Sequence, residues 1–304
     1  MTYLHEIDGQ TWFKEQVTDE IGHALRVDKL LFEGEIDHQH IAVFENERFG
    51  RLFALNGFIQ LSTADEFIYH EMVSHVPLFE FGAAKRVLVI GGGDGGVIRE
   101  VLRHEGVETV TLVEIERDVI EFSKRWFPDV GGSAWDDPRL DLQIADGAKF
   151  VKEASRQYDV IIVDSTDPVG PGEVLFTEEF YADCHARLSE NGIMVSQCGL
   201  PFLQPAELKK AHDNQAKSFA SVQFYTIAVP AYSGGLMALG FARKGGVVPA
   251  EGELASAVQR AGLAFRYYTP EGHRAAFALP AYVRRVIETG TFGEGHEAPP
   301  TGRR

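Results

Sequence analysis

The chain has 304 residues, 44% hydrophobic and 24% charged, the balance of an ordinary folded protein and length enough for one large domain beside a small one. Its 45 Asp and Glu against 29 Lys and Arg give a net charge of −16, which argues against nucleic acid or anionic membrane as the main partner and suits cationic ligands. Two cysteines without metal or disulfide spacing, Cys184 and Cys198, imply a reducing compartment and small apolar core residues. No basic-then-apolar leader and no apolar run near the ~20 residues of a membrane span is present, so the expected location is the cytoplasm.

From Thr11 to about Ser62 the pattern has period two. His23 to Phe32, Ile41 to Phe44 and Arg51 to Leu55 alternate, and Asn56-Gly57 between apolar runs signals a hairpin. Residues 1–64 are therefore expected to form a small antiparallel β domain of five or six strands. Thr63-Ala-Asp-Glu66 matches a capping box. It opens a predicted helix through Phe67, Ile68, Met72 and Val76, closed by Pro77. Residues 65–304 then form the second unit, with a loose tail from about Gly290.

Arg86 to Val101 organises that unit. Val87–Ile90 read as a buried strand, and Val97, Ile98, Val101 and Leu102 recur at helical spacing. Between them Gly91, Gly93 and Gly96 fill G-x-G-x-x-G in its proper strand-to-helix context, letting the chain turn and a ligand approach the backbone. Asp94 departs from a dinucleotide loop. A phosphate about 4 Å from its carboxylate would meet roughly 4 kcal/mol of repulsion at an effective dielectric near 20. The loop thus suits a nucleoside with a cationic tail.

Downstream, strand and helix alternate, the pattern of a mostly parallel sheet covered on both faces, hence an α/β fold. Strands are predicted at Thr109–Ile115, Leu140–Ala145, Asp159–Val163, Gly192–Gln197, Gln223–Val229 and Leu236–Arg243. Helices are predicted near 97–105, 116–127, 178–189, 205–220 and 251–261.

Ligands of such sheets bind outside the carboxyl ends of the strands. Those ends carry acid after acid: Asp94, Glu114, Asp146, then Asp164 and Asp167. Glu114, 23 residues beyond Gly91, suits an acceptor for ribose hydroxyls. Asp146-Gly147 suits either a purine amine or a plain turn. Asp164 and Asp167 can converge on one cation or its proton, and Pro168 to Gly172 reads as a shaped lid loop.

Gly91-Gly-Gly-Asp-Gly-Gly96, Val113-Glu-Ile115, Asp146-Gly147 and Asp164-Ser-Thr-Asp-Pro-Val-Gly-Pro171 together resemble the polyamine aminopropyltransferase family, most closely its bacterial spermidine synthases. Asp37-His-Gln39, Gly57-Phe-Ile-Gln60, Asp65 to Glu71 and Pro230-Ala-Tyr232 extend the resemblance over roughly residues 10 to 285. It departs from many relatives at Thr63-Ala64 and at Ala231, both bearing on the shape of the acceptor end.

The resemblance implies a methyltransferase-type Rossmann-like domain after the β domain, and dimers or tetramers. It implies transfer of an aminopropyl group from decarboxylated S-adenosylmethionine to putrescine, giving spermidine, methylthioadenosine and a proton. Asp164 resembles the proton acceptor. Gln39, Glu114, Asp146, Gly147 and Pro171, with the glycine loop at Gly91 and Gly93, resemble the nucleoside site. His70, Asp94 and the segment Asp164, Ser165, Thr166 and Asp167 resemble polyamine contacts, and Gln60, Tyr69 and Tyr232 further pocket residues.

The chemistry agrees with the residues. The decarboxylated donor ends in an ammonium that Asp94 attracts, whereas intact S-adenosylmethionine brings a carboxylate. An amine with a pKa near ~10.4 is neutral in only about one molecule in 10³ at pH 7, a deficit of roughly 4–5 kcal/mol that a proton acceptor relieves. The leaving thioether is neutral and needs no acid. No metal or permanently bound cofactor is expected; His38 and His40, two apart, lack a ligand pattern, and no Ser/His/Asp or Cys/His nucleophile pattern is present. The rival readings are a diamine N-methyltransferase using intact S-adenosylmethionine, a non-catalytic polyamine-binding protein, and an NAD-dependent dehydrogenase.

Overall fold

A computed structural model describes residues 3–36, 39–165, 170–245 and 253–293. The stretch with period-two alternation holds six strands, and a seventh precedes it. β1 (Leu4–Ile7), β2 (Gln10–Gln16) and β3 (Gly22–Arg26) form one antiparallel sheet. β4 (Lys29–Ile36), β5 (Gln39–Asn46), β6 (Gly50–Leu55) and β7 (Phe58–Ser62) form another. The expected hairpin is there: Leu55 pairs with Phe58, and both turn residues take positive φ, +50° at Asn56 and +83° at Gly57. Such a turn matches the twist of the flanking strands.

The helix that follows, α1 (Glu66–Phe81), departs from expectation at both ends. The capping box does not form. Thr63 Oγ1 instead accepts from the Arg51 amide at 3.0 Å, and the Asp65 carboxylate accepts from the Ala231 amide at 2.7 Å. Nor does Pro77 end the helix. It removes one backbone bond, but Leu78 and Phe79 beyond it are buried in the main core, and the helix continues until Gly82, with φ +87°. Tertiary packing overrides the local break.

The large sheet contains β8 (Arg86–Gly91), β9 (Thr109–Glu114), β10 (Leu140–Ile144), β11 (Tyr158–Asp164), β12 (Leu188–Gln197), β13 (Ser221–Ala228) and β14 (Leu236–Arg243). Its order is β10-β9-β8-β11-β12-β14-β13; the first five strands are parallel and β14 is antiparallel to both neighbours. Helices α2 (Gly96–Leu102), α3 (Arg117–Trp126), α4 (Pro128–Gly131), α5 (Gly147–Glu153), α6 (Glu178–Arg187), α7 (Pro205–Ala216), α8 (Glu253–Ala261), α9 (Pro270–Ala276) and α10 (Ala281–Thr289) accompany it.

α4, α5, α9 and α10 lie where no helix was expected. α6 stops at Arg187 because β12 already begins at Leu188, four residues before the predicted Gly192, and α7 ends short of 220. Most of the expected loose tail, residues 294–304, lies outside the described residues.

The apolar strands are continuous because both faces of the sheet are covered. In β8, Val87 and Val89 pack with residues of α1 and α2, while Leu88 and Ile90 pack with Val151, Phe180 and Tyr181 of α5 and α6. Cys184 and Cys198 are free and buried, as expected of small apolar residues. The second N-terminal sheet packs Val43 and Leu61 against Phe122, Phe127 and Val130. From β8 the chain steps outward to β9 and β10, then returns to the other side of β8 as β11. That reversal opens a crevice at the carboxyl ends of β8 and β11, where Gly91 and Asp164 are paired in register.

Candidate active site

The glycine loop is shaped by what sits against it. Gly91 has φ +77°, and the Asp164 carbonyl occupies the place of a Cβ, so a side chain there would be both strained and blocked. Gly92 donates its amide to that same carbonyl at 3.0 Å, stitching the exits of β8 and β11 together. Gly93 lies under Glu114, whose Oε2 would be 2.8 Å from an added Cβ. Gly96 makes room for a neighbour rather than a ligand: any side chain there would overlap the imidazole of His70, brought in by α1.

That imidazole completes an acidic nest. His70 Nε2 lies 3.3 Å from Asp94 Oδ2, and Asp94 Oδ1 accepts the Gly96 amide at 2.7 Å. His70, Asp94 and Asp164 each offer an atom within 4.8 Å of the others. Among the described residues they are the cluster of histidine and acids compact enough to hold one small cation, such as an ammonium. Tyr69 donates its hydroxyl to Asp164 Oδ1 at 2.6 Å.

The two acids are driven apart in acidity. Burial opposes the Asp94 charge, but His70 outweighs it and holds the carboxyl below the usual range. Asp164 is pushed up to about 6 by burial and by the Asp94 charge, against the pull of His70 and the Tyr69 bond. Glu114 is pushed up to about 7, chiefly by burial, although backbone amides of Glu116 and Ile115 favour its anion. Separated acidities in one crevice are the pattern of a proton-handling site.

Other predicted residues gather less tightly. Tyr232 donates to the Gln60 carbonyl at 2.7 Å, and burial, followed by the charges of Asp94 and Asp164, pushes its phenol well above the ordinary tyrosine range. The Gln60 side chain bonds to Phe58 O at 3.2 Å in its own strand. Asp146 is exposed and caps α5, its Oδ1 accepting the Lys149 amide at 3.0 Å. Gly147 lies against Ile90 with no space for a Cβ. Gln39 is half-buried at the start of β5.

Ser165 Oγ is buried with no partner among the described residues. Pro171 falls in a 3-10 helix, Gly170–Phe176, which occupies part of the expected lid. Thr166 and Asp167 lie outside the described residues, and with them the expected convergence of Asp167 on Asp164. His40 pairs with Glu33 at 3.1 Å; His38 also lies outside.

Two charged residues at the site escaped the sequence reading as functional. Glu66 contacts His70 Nδ1 at 2.6 Å, and Arg99 contacts Glu66 at 2.8 Å. The signal for the first was the Glu-x-x-x-His spacing, which places 66 and 70 on one helix face. For Arg99 no local signal exists, since the contact spans 33 positions.

Comparison with known proteins bears on this arrangement. Residues 66–249 match the family model described as spermine/spermidine synthase domain, and residues 11–63 the one described as spermidine synthase tetramerisation domain. The polyamine aminopropyltransferase of Ruegeria sp. (strain TM1040) is 47% identical over 284 residues, 91% of this chain and 99% of that protein. A solved spermidine synthase in complex with transition state analogue AdoDATO superposes with a TM-score of 0.86 at 37% identity, covering 91% of this chain and 94% of that one. The spermidine synthase of Thermotoga maritima gives 0.83 at 35% identity with the same coverage.

Proposed function

Because the chain belongs to the spermine/spermidine synthase family and is a polyamine aminopropyltransferase, we propose that it moves the aminopropyl group of decarboxylated S-adenosylmethionine onto putrescine, with Asp164 as proton acceptor. The observation that carries this reading is the convergence of His70, Asp94 and Asp164 within 4.8 Å at the sheet's reversal. Two carboxylates facing one crevice attract ammonium groups and repel the carboxylate of intact S-adenosylmethionine.

Each group then has a task. Asp94, held ionised, fixes an ammonium. Asp164, with a pKa of about 6, is mostly anionic at pH 7 and takes a proton from the attacking nitrogen, freeing its lone pair. That nitrogen bonds to the propyl carbon beside the sulfonium as the carbon–sulfur bond breaks, and methylthioadenosine leaves as a neutral thioether. Positive charge moves from sulfur toward nitrogen, so the acids beside the nitrogen stabilise the transition state.

On the donor side, Glu114 over the glycine loop would accept ribose hydroxyls, and Asp146, Gly147, Pro171 and Gln39 would surround the base. Tyr69, Gln60 and Tyr232 would wall the acceptor end. The match of residues 11–63 to a tetramerisation domain supports a tetramer, which light scattering on the eluting protein would test.

Asp164→Asn is the decisive variant. Turnover is expected to fall at least about a hundredfold, the scale of general-base catalysis, while diamine binding survives. Unchanged turnover would remove Asp164 from the mechanism. Methylated diamine formed from intact S-adenosylmethionine would replace the reaction itself.

A further inference from the structure

His70 is buried, and both of its ring nitrogens face carboxylates: Nδ1 lies 2.6 Å from Glu66 Oε2 and Nε2 lies 3.3 Å from Asp94 Oδ2. An ionised carboxylate only accepts hydrogen bonds, and a neutral imidazole carries a single N–H. Both contacts are satisfied only when the ring is doubly protonated. Glu66 is also held by Arg99, whose Nη2 shares Oε2 with His70 at 2.8 Å and whose Nη1 lies 3.4 Å from Oε1. Arg99 is held in turn by the Val130 carbonyl at 2.7 Å and by Glu100 at 2.8 Å. Charge alternates along the line Arg99, Glu66, His70, Asp94, which ends beside Asp164. Two carboxylates that close would otherwise retain a shared proton.

We propose that Glu66, clamped by Arg99, is a positioning residue that keeps His70 a cation beside Asp94 and Asp164, so that both carboxylates are anionic when the substrate ammonium arrives. The proposal rests on the reading of Asp164 as proton acceptor. The groups facing His70 or its partners are Glu66 and Tyr69 of α1, Asp94 of the glycine loop, Arg99 and Glu100 of α2, Asp164 of β11, Tyr232 and, 3.7 Å from Glu66, Arg266. Burial alone would strip the ring of its proton; Asp94 and Glu66 raise it to about 10.

The test uses the full-length enzyme. Nitrogen NMR of the His70 ring between about pH 6 and pH 9 is expected to show a doubly protonated ring throughout in the wild type and loss of the second proton within that range in Glu66→Gln. That readout involves no turnover, so it fails separately from the Asp164 reading. In kinetics, the acid limb of kcat/KM in Glu66→Gln is expected to move up by about one pH unit. The variant is then about threefold below wild type near pH 6.5, about tenfold below it near pH 5, and approaches it near pH 9. His70→Gln should show the same displacement and the double variant no more than either single one. If Glu66→Gln does not fold, Arg99→Met takes its place in both measurements. A neutral His70 in the wild type, an unmoved limb, a loss equal at every pH or an additive double variant overturns the proposal.

Discussion

Tyr69, in the first turn of α1, donates its hydroxyl to Asp164, the last residue of β11, at 2.6 Å across 95 positions of sequence. The bond favours the Asp164 anion and so opposes the burial that raises its pKa to about 6. A hydrogen bond to a charged group contributes about 1.5–3 kcal/mol, equivalent to about one pH unit or more. Tyr69→Phe is therefore expected to lower kcat/KM by about twofold to fifteenfold at pH 7 and to recover toward pH 9, as Asp164 ionises later. A pH–rate profile superposable on the wild type's would refute this role.

The same carboxylate weakens the resting fold. Its pKa rises from an ordinary carboxylate value near 4 to about 6 on folding, so the unfolded chain ionises it first. Below the unfolded value the group is protonated in both states and costs nothing. As pH climbs to about 6 the native state loses stability, and above that the loss is constant, at most about 3 kcal/mol. Asp164→Asn should thus raise Tm by several degrees at pH 8 and leave it unchanged near pH 3, read by calorimetry without ligands. Equal shifts at both pH values would mean that the burial of charge is not the cause.

Where each prediction draws its residues shows what local sequence carries. Asp94, Glu114 and Asp164 were legible because an apolar strand followed by an acid is a one-dimensional pattern, and the α/β topology sends all such ends to one rim. The Asn56-Gly57 hairpin was legible for the same reason, its φ values being local property. Pro77 misled because Phe79, beyond it, packs against Phe265 and Tyr268, more than a hundred residues later in the chain. Thr63 and Glu66 fitted a capping box, yet Arg51, Arg99 and His70 compete for them from other elements. Asp146 had an even choice between turn and ligand, and the α5 cap takes one of its oxygens. Long-range partners decide such cases, and spacing does not encode them.

Gly96 illustrates a glycine selected by a neighbour. Its φ is ordinary, so backbone strain does not demand glycine; the His70 ring does. Gly96→Ala must push the imidazole, and with it the Asp94 contact, out of place. Overpacking of this kind costs about 1–3 kcal/mol. The expected result is a lower Tm together with at least a tenfold loss of kcat/KM. His70→Ala in the same background frees the space, so the double variant should be no less stable than His70→Ala alone, without restoring turnover. A double variant less stable than His70→Ala alone would place the clash elsewhere.

Glu114 gives a prediction about binding rather than rate. Burial raises its carboxyl to about 7, so near neutrality the empty site holds it roughly half protonated. Two ribose hydroxyls donating to it would favour the anion and lower its pKa. Donor binding at pH 7 should therefore release a fraction of a proton, about half at most, and affinity should weaken as pH falls below about 7. Titration calorimetry with methylthioadenosine in buffers of different ionisation enthalpy reads this directly, since the observed heat then depends on the buffer. Glu114→Gln removes the titrating group, and its binding heat should be the same in every buffer. Proton uptake instead of release in the wild type would mean that the nucleoside meets Glu114 as an acid, donating its own hydrogen bond to the ribose.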